Sequence, residues 1–421
     1  MRSQPGVAGR PQSTPTPVNT HASRANSCQT PPMPSPLWPL LATLAMQTLA
    51  TMAAFSVPAI APAIAADLGL PGGSVGFFVA GIYGVGMLSA LLSPGFIQRH
   101  GPVRVSQAVL AAVIAMLLTA AIGTEAALIA SAILLGLAYG ATAPASTHLL
   151  VPHTPPHIFN LVMSIRQVGV PLGGVLAGLI VPPLALALGW RGALLAELPA
   201  VLILLLLLQI PRPRWDAARN PRLRLTRAAL LQPLRLWQQS PPLRRLSLAS
   251  FIYTGVQLAF IAFMTVHLTR NAGFDLVTAG WTLAAYQIAG AITRPALGWL
   301  ADRHIPAARL LAWLGPVMSI AALTTAAFSP AWHSWEILAV CLLAGASGSG
   351  FTGLAYAEYA RLGGARRTEA TGLGSAAMFA GVLVIPPLFG TLATALDSFS
   401  PSYVILAALA LSAGLLLRRS P

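Results

Sequence analysis

The sequence places two arginines inside stretches that are otherwise apolar. Arg166 lies in MSIRQVGVPLGG, residues 163–174, and Arg294 begins RPALGWLADRH, residues 294–304. A charged side chain is costly in hydrocarbon, and no carboxylate lies within one helical turn of either arginine. Arg166 is predicted to bind an anionic substrate through paired hydrogen bonds; the alternative is that it reaches the membrane surface or ties neighbouring helices together. For Arg294, nearer to a loop, we favour a structural role.

Other polar and aromatic side chains recur at helical spacing within the apolar runs. Spacings of three, four and seven residues place the members of each set on one helix face. Any one of them is more often a helix-packing residue than a ligand contact, but their concentration in four runs favours a shared cavity. The predicted substrate-binding residues besides Arg166 are Gln47, Thr51, Tyr139, Tyr253, Gln257, Phe260, Ser349, Thr352 and Tyr356.

Proton chemistry in such a cavity needs a carboxylate or histidine with a shifted pKa. Glu197 is the one clear acid inside an apolar run, and we interpret it as a residue at the outer interface. No cluster of His, Cys, Asp or Glu has metal-ligand or acid-base spacing, and no phosphate-binding loop is present. The sequence therefore predicts neither an enzyme, a metal site nor a cofactor.

Composition requires a membrane protein. Of 421 residues, 56% are hydrophobic and only 8% are charged, against about a quarter in soluble proteins. Lipid provides no hydrogen-bond partners for the backbone, and continuous apolar runs of 18 or more residues favour helices over a barrel. The net charge of +15 comes from arginine alone and concentrates on one side of the predicted spans, so it indicates topology and not nucleic-acid binding.

Twelve spans account for the apolar runs. Residues 1–36, rich in Pro, Ser and Thr, are predicted to form a disordered tail; bundles of six spans cover 37–210 and 246–421, joined by an Arg-rich linker at 211–245. The arginine distribution predicts that the termini and the linker are cytoplasmic. The spans lie near 38–62, 74–96, 104–122, 126–149, 158–187, 192–210, 246–268, 277–300, 306–328, 335–357, 369–394 and 399–417.

The two bundles carry an internal repeat with an ungapped offset of 204 residues. Gly86 aligns with Gly290, and the Arg-His pair at 99–100 aligns with the pair at 303–304. The Pro-Pro-Leu run at 182–184 aligns in the same way with that at 386–388. Parallel repeats of this kind place a solute site near the membrane midplane, between the two halves.

The segments RPALGWLADRH and SPGFIQRHGPVR, residues 93–104, stand at corresponding places in the two repeats. Both resemble the signature that follows the second span in the major facilitator superfamily, roughly G-x-L-A-D-R-x-G-R-R, in bacterial-type transporters. The resemblance implies two pseudo-twofold-related bundles that alternate access to a central cavity, with an acidic latch at the signature. The implied gating residues are Gln98, Arg99, Gly101, Arg294, Gly298, Asp302 and Arg303, and Gln98 stands where the family has an acid.

The run GVPLGG in the fifth span resembles a glycine- and proline-rich motif of proton-driven exporters in the same family. The match is imperfect, and a proline kink serves import and export equally. We therefore predict helix-interface or kink roles for Gly169, Pro171, Gly173 and Gly174, and leave the direction of transport open. The family places such small residues of spans 2, 5, 8 and 11 at the interface between the halves.

These observations predict a monomeric secondary transporter of the bacterial inner (plasma) membrane that moves a small organic anion, coupled to protons. An exporter of drugs or hydrophobic metabolites is the alternative within the class. A membrane sensor that does not transport is the alternative outside it. The expected partners are the substrate, protons and the lipid bilayer.

Overall fold

The computed structural model describes residues 35–70, 74–226 and 230–418, so the predicted tail at 1–36 lies almost wholly outside them. The described chain is helical, and no strand occurs within these ranges. The helices of the first half are α1 (Leu37–Ala59), α2 (Ala61–Leu68), α3 (Ser74–His100), α4 (Pro102–Ala121), α5 (Glu125–Leu150), α6 (Phe159–Gln167), α7 (Gly169–Leu195) and α8 (Leu198–Leu207).

The described parts of the linker and the second half contain eight more helices. Two short helices lie in the described part of the predicted linker, and the next helix begins four residues before the predicted end of that linker. These helices are α9 (Arg212–Trp215), α10 (Gln232–Gln239), α11 (Pro241–Asn271), α12 (Leu276–Arg303), α13 (Ala307–Ala326), α14 (Ser334–Gly363), α15 (Arg367–Ala395) and α16 (Ser400–Arg418).

The helices fit the predicted spans and confirm the helical membrane fold. Within the described ranges, nine helical stretches are long and apolar enough to cross a membrane. Two of these stretches, of 52 and 62 residues, each contain two predicted spans. At Gly189 the backbone has φ +74°, and this break separates the fifth span from the sixth. Together with α12, the stretches account for the twelve spans.

The fifth span is itself divided, because α6 ends at Gln167 and α7 begins at Gly169. The two parts pack in different halves. Val162 and Met163 of α6 belong to the hydrophobic core of the second half, whereas Ala177 of α7 belongs to the core of the first. Val168, whose backbone keeps right-handed helical angles (φ −62°, ψ −21°), joins these two parts, and Phe379 of α15 belongs conversely to the core of the first half.

Two glycines of α7 allow it to lie directly against α1. A methyl group on Gly173 would stand 2.7 Å from Thr51 Cβ and 2.8 Å from the Met52 nitrogen, and Gly169 faces Gln47 in the same way. Gly174 faces α1 more loosely, 3.9 Å from a Phe55 ring carbon. The expectation that these glycines lie between the two halves is wrong, because α1 belongs to their own half.

The contact between α1 and α7 generates the first prediction. We expect Gly173→Ala to lower the free energy of unfolding by about 1–3 kcal/mol, the usual cost of overpacking a tight interface. Gly178→Ala, one and a half turns along α7, is the matched control, because no atom lies within 4 Å of the added methyl group. Thermal unfolding in detergent measures both. Equal melting temperatures for the two variants would contradict the close contact.

Candidate functional site

Arg166 is completely buried at the end of α6. Its Nη1 donates to Gln167 Oε1 and its Nη2 to Gln47 Oε1, each at 2.6 Å. The Nε group is buried without a hydrogen-bond partner, and the guanidinium lies 5.8 Å from the ring centroid of Tyr356. The side chain therefore does not reach the membrane surface. It is held by neutral amide oxygens and retains an unused donor.

Arg294 of α12 lies next to it, with only 1% of its surface exposed. Nε donates to the Ser349 carbonyl and Nη2 to the Ser349 hydroxyl, both at 2.9 Å. Nη1 donates to the backbone carbonyl of Gln167 at 2.6 Å. Arg294 thus joins α14 of the second half to the end of α6, a bridging position deep in the protein and away from the loop that follows α12.

The Gln167 carbonyl is available to Arg294 for a reason that is visible in the sequence. In a helix, the N–H of residue 171 would donate to the carbonyl of residue 167, but Pro171 has no N–H. The proline is buried at the start of α7, four residues after Gln167. An unpaired backbone carbonyl buried in a membrane protein needs another donor, and the Arg294 guanidinium supplies it.

A polar network extends from the two arginines into both halves. In the first half, Gln47 Nε2 donates to Thr51 Oγ1 at 3.0 Å, and this hydroxyl lies 3.2 Å from the Tyr139 hydroxyl. In the second half, Gln257 Nε2 donates to Ser349 Oγ at 3.1 Å. The structure therefore brings these five predicted residues together around the arginines.

The remaining predicted binding residues divide between the network and the core. Tyr356 lies beside Arg166 and pairs with Ser375 at 3.0 Å, and the Thr352 hydroxyl is buried without a partner. Tyr253 and Phe260 instead lie in the hydrophobic core of the second half. The Tyr253 hydroxyl donates to the Leu311 carbonyl at 2.9 Å, and Phe260 stacks on other aromatic rings. They share a helix with Gln257 but not its surroundings.

An aromatic cluster adjoins the network at Tyr139. Phe379 stacks on Tyr139 with 5.7 Å between ring centroids, and Tyr83 meets both rings edge-on, at 5.4 Å from Phe379 and 6.2 Å from Tyr139. The three rings come from α3, α5 and α15. Tyr83 and Phe379 were not predicted as site residues, since nothing in their runs marks them and only the fold places them beside Tyr139.

The site is positively charged and has no internal counterion. The ion pairs found in the part of the chain that the structure describes involve other arginines and a histidine, at Arg191, Arg212, His333 and Arg361. Both desolvated guanidiniums bond to amide, hydroxyl and carbonyl oxygens, and this favours a mobile anion as the missing charge.

The signature acid of the second half holds a helix of the first. Asp302 Oδ1 accepts from the backbone and side-chain nitrogens of Asn160, at 3.0 and 2.9 Å, and Oδ2 accepts from the Leu161 N–H at 2.8 Å. These N–H groups are free because they begin α6. Gly298 permits the contact, since a methyl group there would lie 2.7 Å from Ser164 Oγ. Arg303 instead lies over the Trp299 ring.

At the corresponding contact of the first half, the hydrogen-bond donor and the acid have exchanged places. Gln98 Nε2 donates to Oε1 of Glu369 at 2.8 Å, so the acid stands at the start of α15 and the amide at the end of α3. The sequence predicted that the contact made by Gln98 lacks a carboxylate. The structure shows that the other half provides one. Arg99, beside Gln98, is partly buried.

Asp216 of the linker was not predicted as a site residue, yet it caps α4. Its carboxylate accepts from the N–H groups of Val103 at 2.8 Å and Arg104 at 3.1 Å. Gly101, with φ +95°, leaves room for this carboxylate, which a side chain would displace. Burial raises the pKa of Asp216, and the two backbone hydrogen bonds oppose that shift.

Comparison with known proteins gives the family. A model of the Major Facilitator Superfamily matches residues 43–362. A 4-hydroxybenzoate transporter of Pseudomonas aeruginosa is 28% identical over 279 residues, which cover 59% of this chain and 62% of that protein. A gallate transporter of Pseudomonas putida is 28% identical over 203 residues, 41% of this chain and 45% of its own length. The chain thus matches less than two thirds of each relative.

Solved structures agree in fold. A human organic anion transporter superposes with a TM-score of 0.72 at 17% identity, covering 91% of this chain and 100% of that one. Apolar helices joined through a buried polar network agree with a multi-pass membrane fold. This chain belongs to the Major Facilitator Superfamily, as the signature residues predicted.

The reversed contact between Gln98 and Glu369 can be tested by exchange. Gln98→Glu alone places two carboxylates together, and we expect the free energy of unfolding to fall by about 1.5–3 kcal/mol, the value of a hydrogen bond to a charged group. Adding Glu369→Gln exchanges donor and acceptor and should restore most of the loss. Melting temperatures of the two single variants and the double variant measure the coupling. Additive losses in the double variant would show that the pair does not interact.

Proposed function

We propose that this protein is a secondary active transporter of small organic carboxylates, with Arg166 as the main substrate-binding group. The observation that carries the proposal is a buried guanidinium without a counterion, whose Nε has no partner and whose Nη atoms bond only to glutamine oxygens. A carboxylate binds a guanidinium more strongly than an amide does, through charge-assisted paired hydrogen bonds. It would therefore displace the Gln47 and Gln167 oxygens.

The bridge through Arg294 supports alternating access. Arg166 and Gln167 are neighbours in the chain, and the Gln167 carbonyl carries the bond to Arg294 in the second half. An anion that displaces the Gln167 side chain acts next to that bond. Substrate binding in this position would bias how the two halves meet, which is the differential contact that a conformational switch requires.

Aromatic acids are the preferred substrates in this proposal. The rings of Tyr83, Tyr139 and Phe379 form an aromatic wall, and Tyr139 contacts the polar network through Thr51. A benzoate-type ligand presents a carboxylate to the arginine and a ring to such a wall. The names of the 4-hydroxybenzoate and gallate relatives agree with this chemistry.

The remaining features of the proposal follow from topology. We place the transporter in the bacterial plasma membrane as a monomer, with the termini and the Arg-rich linker in the cytoplasm. The driving force is a proton gradient. Export of hydrophobic compounds is the alternative function. A buried positive charge without a counterion disfavours binding of neutral ligands, and this alternative does not explain why an arginine is buried there.

Replacing Arg166 tests the anion site. We expect Arg166→Gln to weaken uptake of radiolabelled 4-hydroxybenzoate into proteoliposomes by roughly 10- to 100-fold, because a charge-assisted hydrogen bond is worth about 1.5–3 kcal/mol. Arg166→Lys should recover only part of the loss, since lysine lacks the planar fork. Arg309→Gln, a change of an exposed arginine, is the matched control. Equal uptake by wild type and Arg166→Gln would overturn the proposal.

The aromatic wall can be tested separately from the charge. Phe379→Leu should weaken competition by benzoate about 3- to 10-fold, consistent with the 0.5–1.5 kcal/mol attributed to ring pairs. Competition by an aliphatic carboxylate of similar length should change little. Phe389→Leu removes a ring from the aromatic core of the second half and serves as the control. Equal losses for both classes of carboxylate would assign Phe379 to packing alone.

A further inference from the structure

Three acidic side chains of this protein are buried, and two of them have strong partners. Asp216 accepts two backbone N–H bonds and pairs with Arg212. Glu358 accepts two hydrogen bonds from Arg361, at 2.8 and 2.5 Å. Both carboxylates therefore accept hydrogen bonds from charged or backbone donors. The third, Glu197, is 5% exposed and differs from them.

Among the residues that the structure describes, neither a cation nor an N–H group pairs with the Glu197 carboxyl group. It precedes α8 but its side chain does not cap that helix. Oε1 is buried without a hydrogen-bond partner, and the carboxyl group contacts the Ser56 hydroxyl of α1. Ser56 donates its proton to the Met52 carbonyl at 2.7 Å. The Ser56 hydroxyl thus already has the Met52 carbonyl as its acceptor, and within the described residues no N–H group or cation accompanies it at Glu197.

The elements packed against Glu197 provide no charge that would stabilise its anion. Helix α1 contains no ionisable residue. In α4 the one such residue is Arg104, which lies in the first turn, at the end of the bundle opposite to Glu197. On the side of Glu197, Asp67 and Arg191 pair with each other at 2.9 Å and are partly exposed. An ionised Glu197 would be isolated among apolar groups.

Helix α1 connects Glu197 to the substrate site. Ser56, completely buried, lies on the same helix as Gln47, which binds Arg166, and Thr51. The close contact with Gly173 holds this helix against α7. Helix α1 therefore carries both a residue of the substrate site, Gln47, and a neighbour of Glu197, Ser56.

From this arrangement we infer that Glu197 is a proton-binding site of the transporter. Its carboxyl group carries a proton in the conformation described above and releases that proton when α1 moves. The inference rests on the proposed function, because it names the group that couples a proton to organic-anion transport. Glu197 lies inside the first half beside α1, apart from the residues proposed to contact the anion. A loaded site keeps the buried carboxyl group neutral, and release of the proton requires access to water.

Infrared spectroscopy of the purified full-length protein at neutral pH tests the protonation without any substrate. Wild type should show the C=O stretch of a protonated carboxyl group, and Glu197→Gln should lack that band. Glu125→Gln, the same change at an exposed acid at the same end of the bundle, should retain it. Melting temperatures confirm that the variants are folded. An unchanged band in Glu197→Gln would overturn the inference.

Proteoliposomes test the coupling, with 4-hydroxybenzoate as the probe. Glu197→Gln should keep exchange of labelled for unlabelled probe within about twofold of wild type, yet lose at least tenfold of the accumulation driven by an imposed pH gradient. Glu197→Asp, which keeps a titratable group, should recover part of it. Undiminished accumulation in Glu197→Gln would overturn the inference. If wild type transports no 4-hydroxybenzoate, the proposed substrate is wrong. The infrared experiment still tests the protonation of Glu197, because it requires no substrate.

Discussion

A single backbone carbonyl, that of Gln167, connects the two halves of this protein at their centre. Pro171 leaves this carbonyl without its helical donor, and Arg294 of the other half donates to it at 2.6 Å. The same bond explains why the fifth span is divided and why α6 packs with the second half. It also places Arg166, the preceding residue, at the junction. One missing N–H thus organises both the division of the span and the position of the charge.

Within the described chain, the two arginines at the junction have no acidic partner, because the groups around them are neutral. Arg166 and Arg294 are both buried, and their hydrogen-bond acceptors are amide, hydroxyl and carbonyl oxygens. Such acceptors hold the guanidiniums in position but do not neutralise them, so an arriving carboxylate gains an interaction that no internal group offers. The acids of the chain are used elsewhere, in caps, in peripheral ion pairs and at Glu197.

The contacts between the halves show how an internal repeat can keep its geometry while its chemistry changes. Asp302 caps the start of α6, and at the corresponding place Gln98 binds Glu369 at the start of α15. In both cases the end of one helix meets the beginning of a helix in the other half. Because only the pairing of donor with acceptor matters, the acid can move from one half to the other.

Local chemistry in the sequence determined the class of protein. Apolar runs longer than a bilayer is thick must become helices, arginine content predicts their orientation, and the repeat with its signature residues indicates the family. Periodicity also selected Gln47, Thr51, Gln257 and Ser349, which share one polar network in the structure because each needs a polar neighbour inside the membrane. What periodicity cannot provide is the rotation of each helix about its axis. Only the tertiary structure decided that Phe260 faces the core, that Phe379 joins the aromatic wall, and that the glycines of α7 face α1, because long-range packing sets those rotations.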